Sequence, residues 1–252
     1  MGNLKKSGEK YSWETRFRLT DRKQEYKDKR LSFHISRNDS HDTILIKCRE
    51  PTREYLDWFW RSLQLKTIPM DWALKIFPNV KEQTESVAAL FGVKDILSLK
   101  ESIVIVVGDG SSPRCRGLFA FFSKEVISVD PEMRAEFCSQ KTITNLSCVA
   151  STIEKWIEER KGQPLLNKPV VVVAMHTHVT FQVYLESLLS CISADVPLVI
   201  LSVACCYDLY LSKEEVAKYG LTTIPEYDDW AMHSPCRTVR RWTRNIAPLK
   251  KE

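Results

Sequence analysis

The turn Gly108-Asp109-Gly110 ends an unbroken apolar run, Ile103 to Val107, and a helical stretch opens just beyond it, near Pro113. Glycine is needed where a backbone must turn sharply and let a ligand come close. A helix N-terminus placed after such a turn offers free N–H groups and a partial positive charge. A second apolar stretch, Glu125 to Val129, runs into Asp130, twenty residues past Gly110. A carboxylate at that place can accept two hydrogen bonds from a ribose diol. Three residues after Gly110, where a full dinucleotide fingerprint carries a small residue, stands Pro113. The setting therefore points to a ribose-bearing ligand without completing the nicotinamide fingerprint.

Four other clusters have chemical potential. Met175-His176-Thr177-His178 closes a valine-rich strand. An imidazole is the side chain suited to general-base work at neutral pH, so His176 is the candidate general base. In a strand His176 and His178 share a face. Two ligands with no adjoining carboxylates do not make a metal site, and none is expected. Cys205-Cys206-Tyr207 ends the next strand and reads as packed, inert thiols, since a nucleophilic cysteine needs a lowered pKa. Asp228-Asp229-Trp230 reads as a solvated loop. Thr238 to Arg244 interleaves Arg240, Arg241 and Arg244 with Trp242. It reads as an antiparallel last strand on which RNA contact can be superimposed.

These clusters need a scaffold that brings strand ends together. From residue 100 onward the pattern alternates. Strands are expected at 102–107, 125–129, 142–148, 169–175 and 197–204. Helices are expected at 114–122, from Ser151 to about Lys161 (Ser151 and Glu154 forming a capping box), and at 181–190. Strands alternating with helices predict a doubly wound, mostly parallel sheet with its strand C-termini on one edge. Upstream, Ile44 to Ile46 reads as a short strand. Pro51-Thr52 opens a helix with Tyr55, Trp58, Phe59 and Leu63 on one face. Pro69 and Pro78 bracket a short helix, and another covers 80–91 with Gly92 as its stop. Three regions follow: 1–30, basic and largely disordered, with at most one short edge strand; 31–99, a mostly helical N-terminal extension; and 100–252, the cofactor-binding domain.

Val106-Val107-Gly108-Asp109-Gly110 followed by Ser128-Val129-Asp130-Pro131 resembles the first two motifs of the class I, Rossmann-like S-adenosylmethionine-dependent methyltransferases, over roughly residues 100–206. The resemblance implies a seven-stranded sheet with the last strand antiparallel and helices on both faces. It implies S-adenosylmethionine as cofactor, with Gly108 and Gly110 under the methionine and ribose and Asp130 on the ribose hydroxyls. Ser147 and Cys148, after the third strand, would lie beside the adenine. Asp109 is counted with the cofactor-binding residues, although it stands one residue later than the acidic position of the commonest motif. The Asp/Asn-Pro-Pro-aromatic tetrapeptide after the fourth strand is absent, which disfavours amino-group methylation of bases by that route.

Three functions compete. The first is a methyltransferase with an RNA acceptor. The second is a catalytically inactive methyltransferase-like module acting as a subunit or scaffold of a larger complex, with the aromatic helices bearing Trp58, Trp60 and Trp72 as its partner surface. The third is a nicotinamide-dependent oxidoreductase, which the incomplete glycine pattern and the lack of a Tyr-x-x-x-Lys pair disfavour. Bulk composition narrows the setting. The 252 residues include eight cysteines, none in CxxC pairs, which suits an intracellular protein of cytoplasm or nucleus, not a secreted one. No stretch is apolar enough to span a membrane. The net charge of +5 is unevenly placed: residues 1–30 hold ten Lys/Arg against five Asp/Glu and residues 237–252 six against one, so each end is +5 and the middle −5. Basic ends of this kind are what suggest a nucleic-acid partner.

Overall fold

A computed structural model describes residues 4–7, 10–14, 32–38, 41–47, 50–65, 70–175, 177–203, 209–234 and 236–246. Seven strands form the main sheet: β5 (Ile103–Val107), β6 (Glu125–Val129), β7 (Leu146–Val149), β8 (Val170–Met175), β9 (Leu198–Val203), β10 (Thr222–Asp228) and β11 (Thr238–Arg244). Their order across the sheet is β10-β11-β9-β8-β5-β6-β7. β5 to β9 are mutually parallel, and β11 runs antiparallel to both β9 and β10. This is the Rossmann-like, seven-stranded arrangement of methyltransferase type, with one reversed strand.

The valine and isoleucine runs explain the layers. β5, β8 and β9 are buried along their whole length, as strands covered on both faces must be. Alternate residues serve opposite faces. Val104, Val106, Val171, Val173, Val199 and Leu201 belong to one core with Phe59, Leu63, Trp72, Phe77 and Val87. Ile105, Val107, Val170, Val172 and Ile200 belong to the other, with Trp156, Phe181, Leu185 and Leu188. The first core is covered by α1 (Glu50–Leu65), α2 (Met70–Ile76), α3 (Val80–Lys94) and α4 (Arg114–Phe119), the second by α6 (Ile153–Glu159) and α7 (Phe181–Ser190). The helices that the sequence reading sets apart as an extension thus supply one of the two layers over the sheet. Trp72 lies in that core, while Trp58 stacks on Phe122 and Trp60 meets Phe59 edge-on.

Ahead of these helices, β1 (Leu4–Ser7), β2 (Lys10–Glu14), β3 (Ser32–Asn38) and β4 (His41–Lys47) form an antiparallel meander. Two of its strands fall within 1–30, where the sequence shows little periodicity, and Ile44 to Ile46 lies in β4. Three further details depart from the sequence reading. The cap of α6 is Thr152, whose side chain accepts from the Lys155 N–H, not Ser151. Gly92 does not end α3 but lies inside it, because Leu201 occupies the place a Cβ would take. β7 starts only at Leu146, four residues later than expected. The short helices α5 (Ala135–Cys138) and α8 (Lys213–Lys218) complete the fold.

Candidate functional site

β5 continues to β6 and β7 on one side and, through the crossover to β8, turns to the other, so the sheet's switch point lies between the ends of β5 and β8. Ligands in open α/β sheets bind in that crevice. Gly108 and Gly110 have φ of +78° and +77°, the left-handed region that favours glycine. At Gly108 space forbids a side chain as well: a Cβ would stand 2.4 Å from Thr177 Cβ and 2.6 Å from its Cα. The chain just past the end of β8 is therefore packed directly on the turn after β5.

The two acidic residues of the motif face inward. Asp109 is buried, and its carboxylate accepts from the Cys115 N–H at 3.0 Å and the Arg116 N–H at 3.4 Å. It thereby satisfies free N–H groups at the start of α4. Its carboxylate also lies 3.7 Å from Nε of Arg116, a side chain with no solvent exposure. Arg116 donates in addition to the Ser128 carbonyl at 3.3 Å and Met133 Sδ at 3.0 Å. Burial raises the Asp109 pKa, with Arg116 and the two N–H groups opposing, while burial lowers that of Arg116 against the pull of Asp109. Asp109 is thus part of the turn's internal frame. Asp130, at the end of β6, accepts from the Gly110 N–H at 2.7 Å through Oδ2 and from the Glu132 N–H at 2.8 Å through Oδ1. Each oxygen keeps a further lone-pair direction, so Asp130 can hold the turn and a diol together.

Ser147 and Cys148 lie inside β7, opposite Ile127 and Ser128, and not beyond its end. Ser147 is exposed and Cys148 half-buried. Burial pushes the Cys148 thiol up to about 11, with Arg116 opposing. His176 lies outside the described residues, as do Cys205, Cys206 and Tyr207. Of its neighbours, Thr177 is buried against the turn and His178 is exposed. No group of His, Cys, Asp and Glu that could hold a metal occurs among the described residues.

The sequence reading missed the wall that α3 adds. Glu82 pairs with Arg114 at 3.1 Å, across from the start of α4. Glu85, fully buried, pairs with Lys81 at 3.2 Å. The Cys115 thiol is pushed well above its ordinary value by burial first and then by Asp109, Glu85 and Glu82. Thr84 accepts from the His233 N–H at 2.9 Å, which ties the β10–β11 loop to α3. The available signal was the polar run Lys81-Glu82-Gln83-Thr84-Glu85-Ser86 inside a helix that leads into apolar Val87 to Leu90. Five of those six polar residues are buried.

Of the expected solvated loop Asp228-Asp229-Trp230, Asp228 (the last residue of β10) and Trp230 are exposed, but Asp229 departs from the expectation. Asp229 is buried and accepts from the Tyr55 hydroxyl at 2.7 Å and the Ala231 N–H at 2.9 Å. Burial and that bond hold the Tyr55 hydroxyl well above its ordinary pKa. On β11, Arg240 and Arg241 border a groove of about 730 Å³ together with Tyr210, Lys213, Val216 and Trp242. Arg240 donates to Glu226 at 2.7 Å, Arg241 lies over the Tyr227 ring, and Arg244 donates to the Ser193 carbonyl at 3.3 Å.

No family model matches the chain, and no curated protein matches it in sequence. Among solved structures it is similar to an S-adenosylmethionine-dependent methyltransferase from Leishmania major, at 9% identity and a TM-score of 0.45 over 74% of this chain and 82% of that one. It is also similar to the N-methyltransferase NodS from Bradyrhizobium japonicum, at 14% identity and a TM-score of 0.45 over 66% and 97%. An rRNA methylase from Streptococcus thermophilus matches at 16% identity and a TM-score of 0.37 over 58% and 89%. The chain's own strand order defines the fold.

Proposed function

We propose that the chain is a methyltransferase that binds S-adenosylmethionine on the Gly108–Gly110 turn. The observation that carries the reading is the hydrogen bond from the Gly110 N–H to Asp130, at the switch point of this sheet. It sets a bare glycine turn and a ribose-accepting carboxylate side by side. The cofactor supplies a methyl group already activated by its sulfonium. The protein's part is then mostly alignment of an acceptor lone pair with that carbon. Thr177, fixed against Gly108, places the chain after β8 at the same crevice, and His176 directly before it is the residue we assign to take the acceptor's proton. Titration with S-adenosylmethionine tests the reading: micromolar binding that weakens in Asp130→Ala supports it, and no binding at millimolar ligand removes it.

RNA is the acceptor we propose. Support comes from the basic side chains Lys213, Arg240 and Arg241 bordering one groove beside the exposed Tyr210, a combination suited to phosphates and stacked bases. Among the described residues Cys115, Cys138, Cys148 and Cys191 are free thiols, which supports a reducing compartment, cytoplasm or nucleus. No helix among the described residues is long and apolar enough to cross a membrane.

A second reading, a binding subunit without turnover, is favoured by a specific feature. Asp109 and both oxygens of Asp130 already serve the protein's own backbone. Cofactor binding without methyl transfer to bulk RNA or protein, together with stable co-purification of one partner, would select it.

A further inference from the structure

The charges that face the turn from outside differ from those that frame it. Asp109 and Asp130 are turned into the loop. Beside them, Arg114 keeps 32% side-chain exposure and Glu82 10%, and they form a 3.1 Å ion pair. The guanidinium lies on the open side of the turn: its Nη1 and Nη2 stand 3.8 and 4.0 Å from where a side chain on Gly110 would begin. A ligand that approaches the bare Gly110 therefore meets a cation and an anion together.

This pairing selects among ligands. A pyrophosphate would gain from Arg114 but would set its negative charge against Glu82. A neutral nucleoside would use neither group. An α-amino acid carries a carboxylate and an ammonium on one carbon and matches both. Arginine's planar fork suits the carboxylate, and a carboxylate such as Glu82 suits the ammonium. Resting on the reading that the turn binds an adenosyl cofactor, we infer that Arg114 and Glu82 are the groups that recognise the cofactor's amino-acid end, and that they discriminate against dinucleotides.

The test compares three probes on the full chain by isothermal titration: S-adenosylhomocysteine, 5′-methylthioadenosine (which lacks the amino-acid end) and NAD. Wild type is expected to bind S-adenosylhomocysteine about 30-fold more tightly than methylthioadenosine, in line with charge-assisted hydrogen bonds. Arg114→Gln should bring that ratio close to one by weakening S-adenosylhomocysteine alone, with methylthioadenosine unchanged within about twofold. Glu82→Gln should lower the ratio by about fivefold and raise affinity for NAD. Arg114 is partly exposed and Glu82 is buried, so the unliganded melting temperature of each variant checks the fold. If one variant does not fold, the other still reads its half of the zwitterion. Equal wild-type affinity for S-adenosylhomocysteine and methylthioadenosine, or a ratio that survives both substitutions, would overturn the assignment while leaving the cofactor reading intact. Binding of NAD in preference to S-adenosylhomocysteine would overturn both. So would failure of all three probes to bind wild type.

Discussion

The turn after β5 and the β10–β11 edge both carry charge beside aromatic and apolar packing, yet they use it in opposite ways. At the turn, Asp109 and Arg116 are sealed from solvent; they bond to the chain's own backbone and to Met133 Sδ and form an ion pair with each other. At the edge, Arg240 meets Glu226 and Arg241 covers Tyr227, and both border an open groove. Buried charge fixes the shape of a site, because an unpaired ion there is costly. Rim charge adds little to stability and stays within reach of ligands. Replacement of equivalent residue types in the two regions should therefore separate stability from binding.

The largest effect is expected from Asp109→Ala. It leaves the Arg116 guanidinium buried beside unsatisfied N–H groups at the start of α4, a loss of about 3–5 kcal/mol for a broken buried pair. Urea unfolding measures it. A loss below about 1 kcal/mol would mean that the pair is solvated and that the contrast between the regions fails.

Next is Gly108→Ala. Left-handed backbone costs an alanine about 1–2 kcal/mol. The overlap with Thr177 adds to this, since the backbone atom Thr177 Cα cannot rotate away. The variant should lose stability and S-adenosylmethionine binding together, as read by denaturation and titration. Thr177→Gly should restore part of the loss, because it removes the Cβ while the overlap with the Thr177 backbone stays. If Thr177→Gly restores nothing, the packing between the ends of β5 and β8 is not what holds the turn.

Tyr55→Phe acts between the two regions. It removes the bond to buried Asp229 that ties the β10–β11 loop to α1, at about 1–2 kcal/mol. A pH signature accompanies it. The folded Tyr55 hydroxyl titrates higher than in the unfolded chain, so its stabilisation is complete below the ordinary tyrosine value and is lost as pH rises above it. The variant should therefore lose less stability than wild type at high pH, as measured by unfolding across that range.

The main strands and α7 are legible in the sequence because long β-branched or periodic runs have one structural solution. Phe181–Ser190 and Thr238–Arg244 appear with the expected bounds. β10 is not legible: it is a sheet edge, mostly exposed, with Pro225 in its middle and a bulge beside it. α8 is equally silent, since Lys213–Lys218 has no fully buried residue and sets only Val216 against the core. At the site, residue types and spacing mark Gly108, Gly110 and Asp130 as a unit. They do not show that Asp109 caps α4 or that Glu82 and Arg114 form the outer wall, because those facts depend on how α3 lies against α4. A side chain's direction at a turn is a tertiary property.

Cys148 offers a chemical probe of the buried side. Its thiol is half-buried beside Arg116, and burial raises it to about 11. The thiolate is the reactive form, so alkylation at neutral pH should be slow at Cys148 and faster at the exposed Cys138. Site-resolved mass spectrometry over a pH series should place the half-maximal rate of Cys148 near 11. Arg116→Met should move that midpoint upward, because it removes the positive charge that favours the thiolate.

The smallest stability effect, and the widest gap between stability and binding, is expected at Arg240. Its partner Glu226 is exposed while the Arg240 side chain keeps only 16% exposure, and a pair solvated on one side contributes about 1 kcal/mol, so Arg240→Ala should lose little stability. Single-stranded RNA binding should respond differently. Each phosphate that a cation no longer neutralises lowers the slope of log affinity against log salt by about 0.7 for a single strand. Arg240→Ala should therefore bind a short oligouridine more weakly at low salt, with a shallower slope, and Arg240→Ala with Lys213→Ala should lower it further. Tyr210→Ala should weaken binding with no change in slope, since stacking releases no counterions. An unchanged slope in the double variant would remove the groove as the RNA-binding surface, and rim charge at this edge would then serve only to keep β10 from pairing with another sheet.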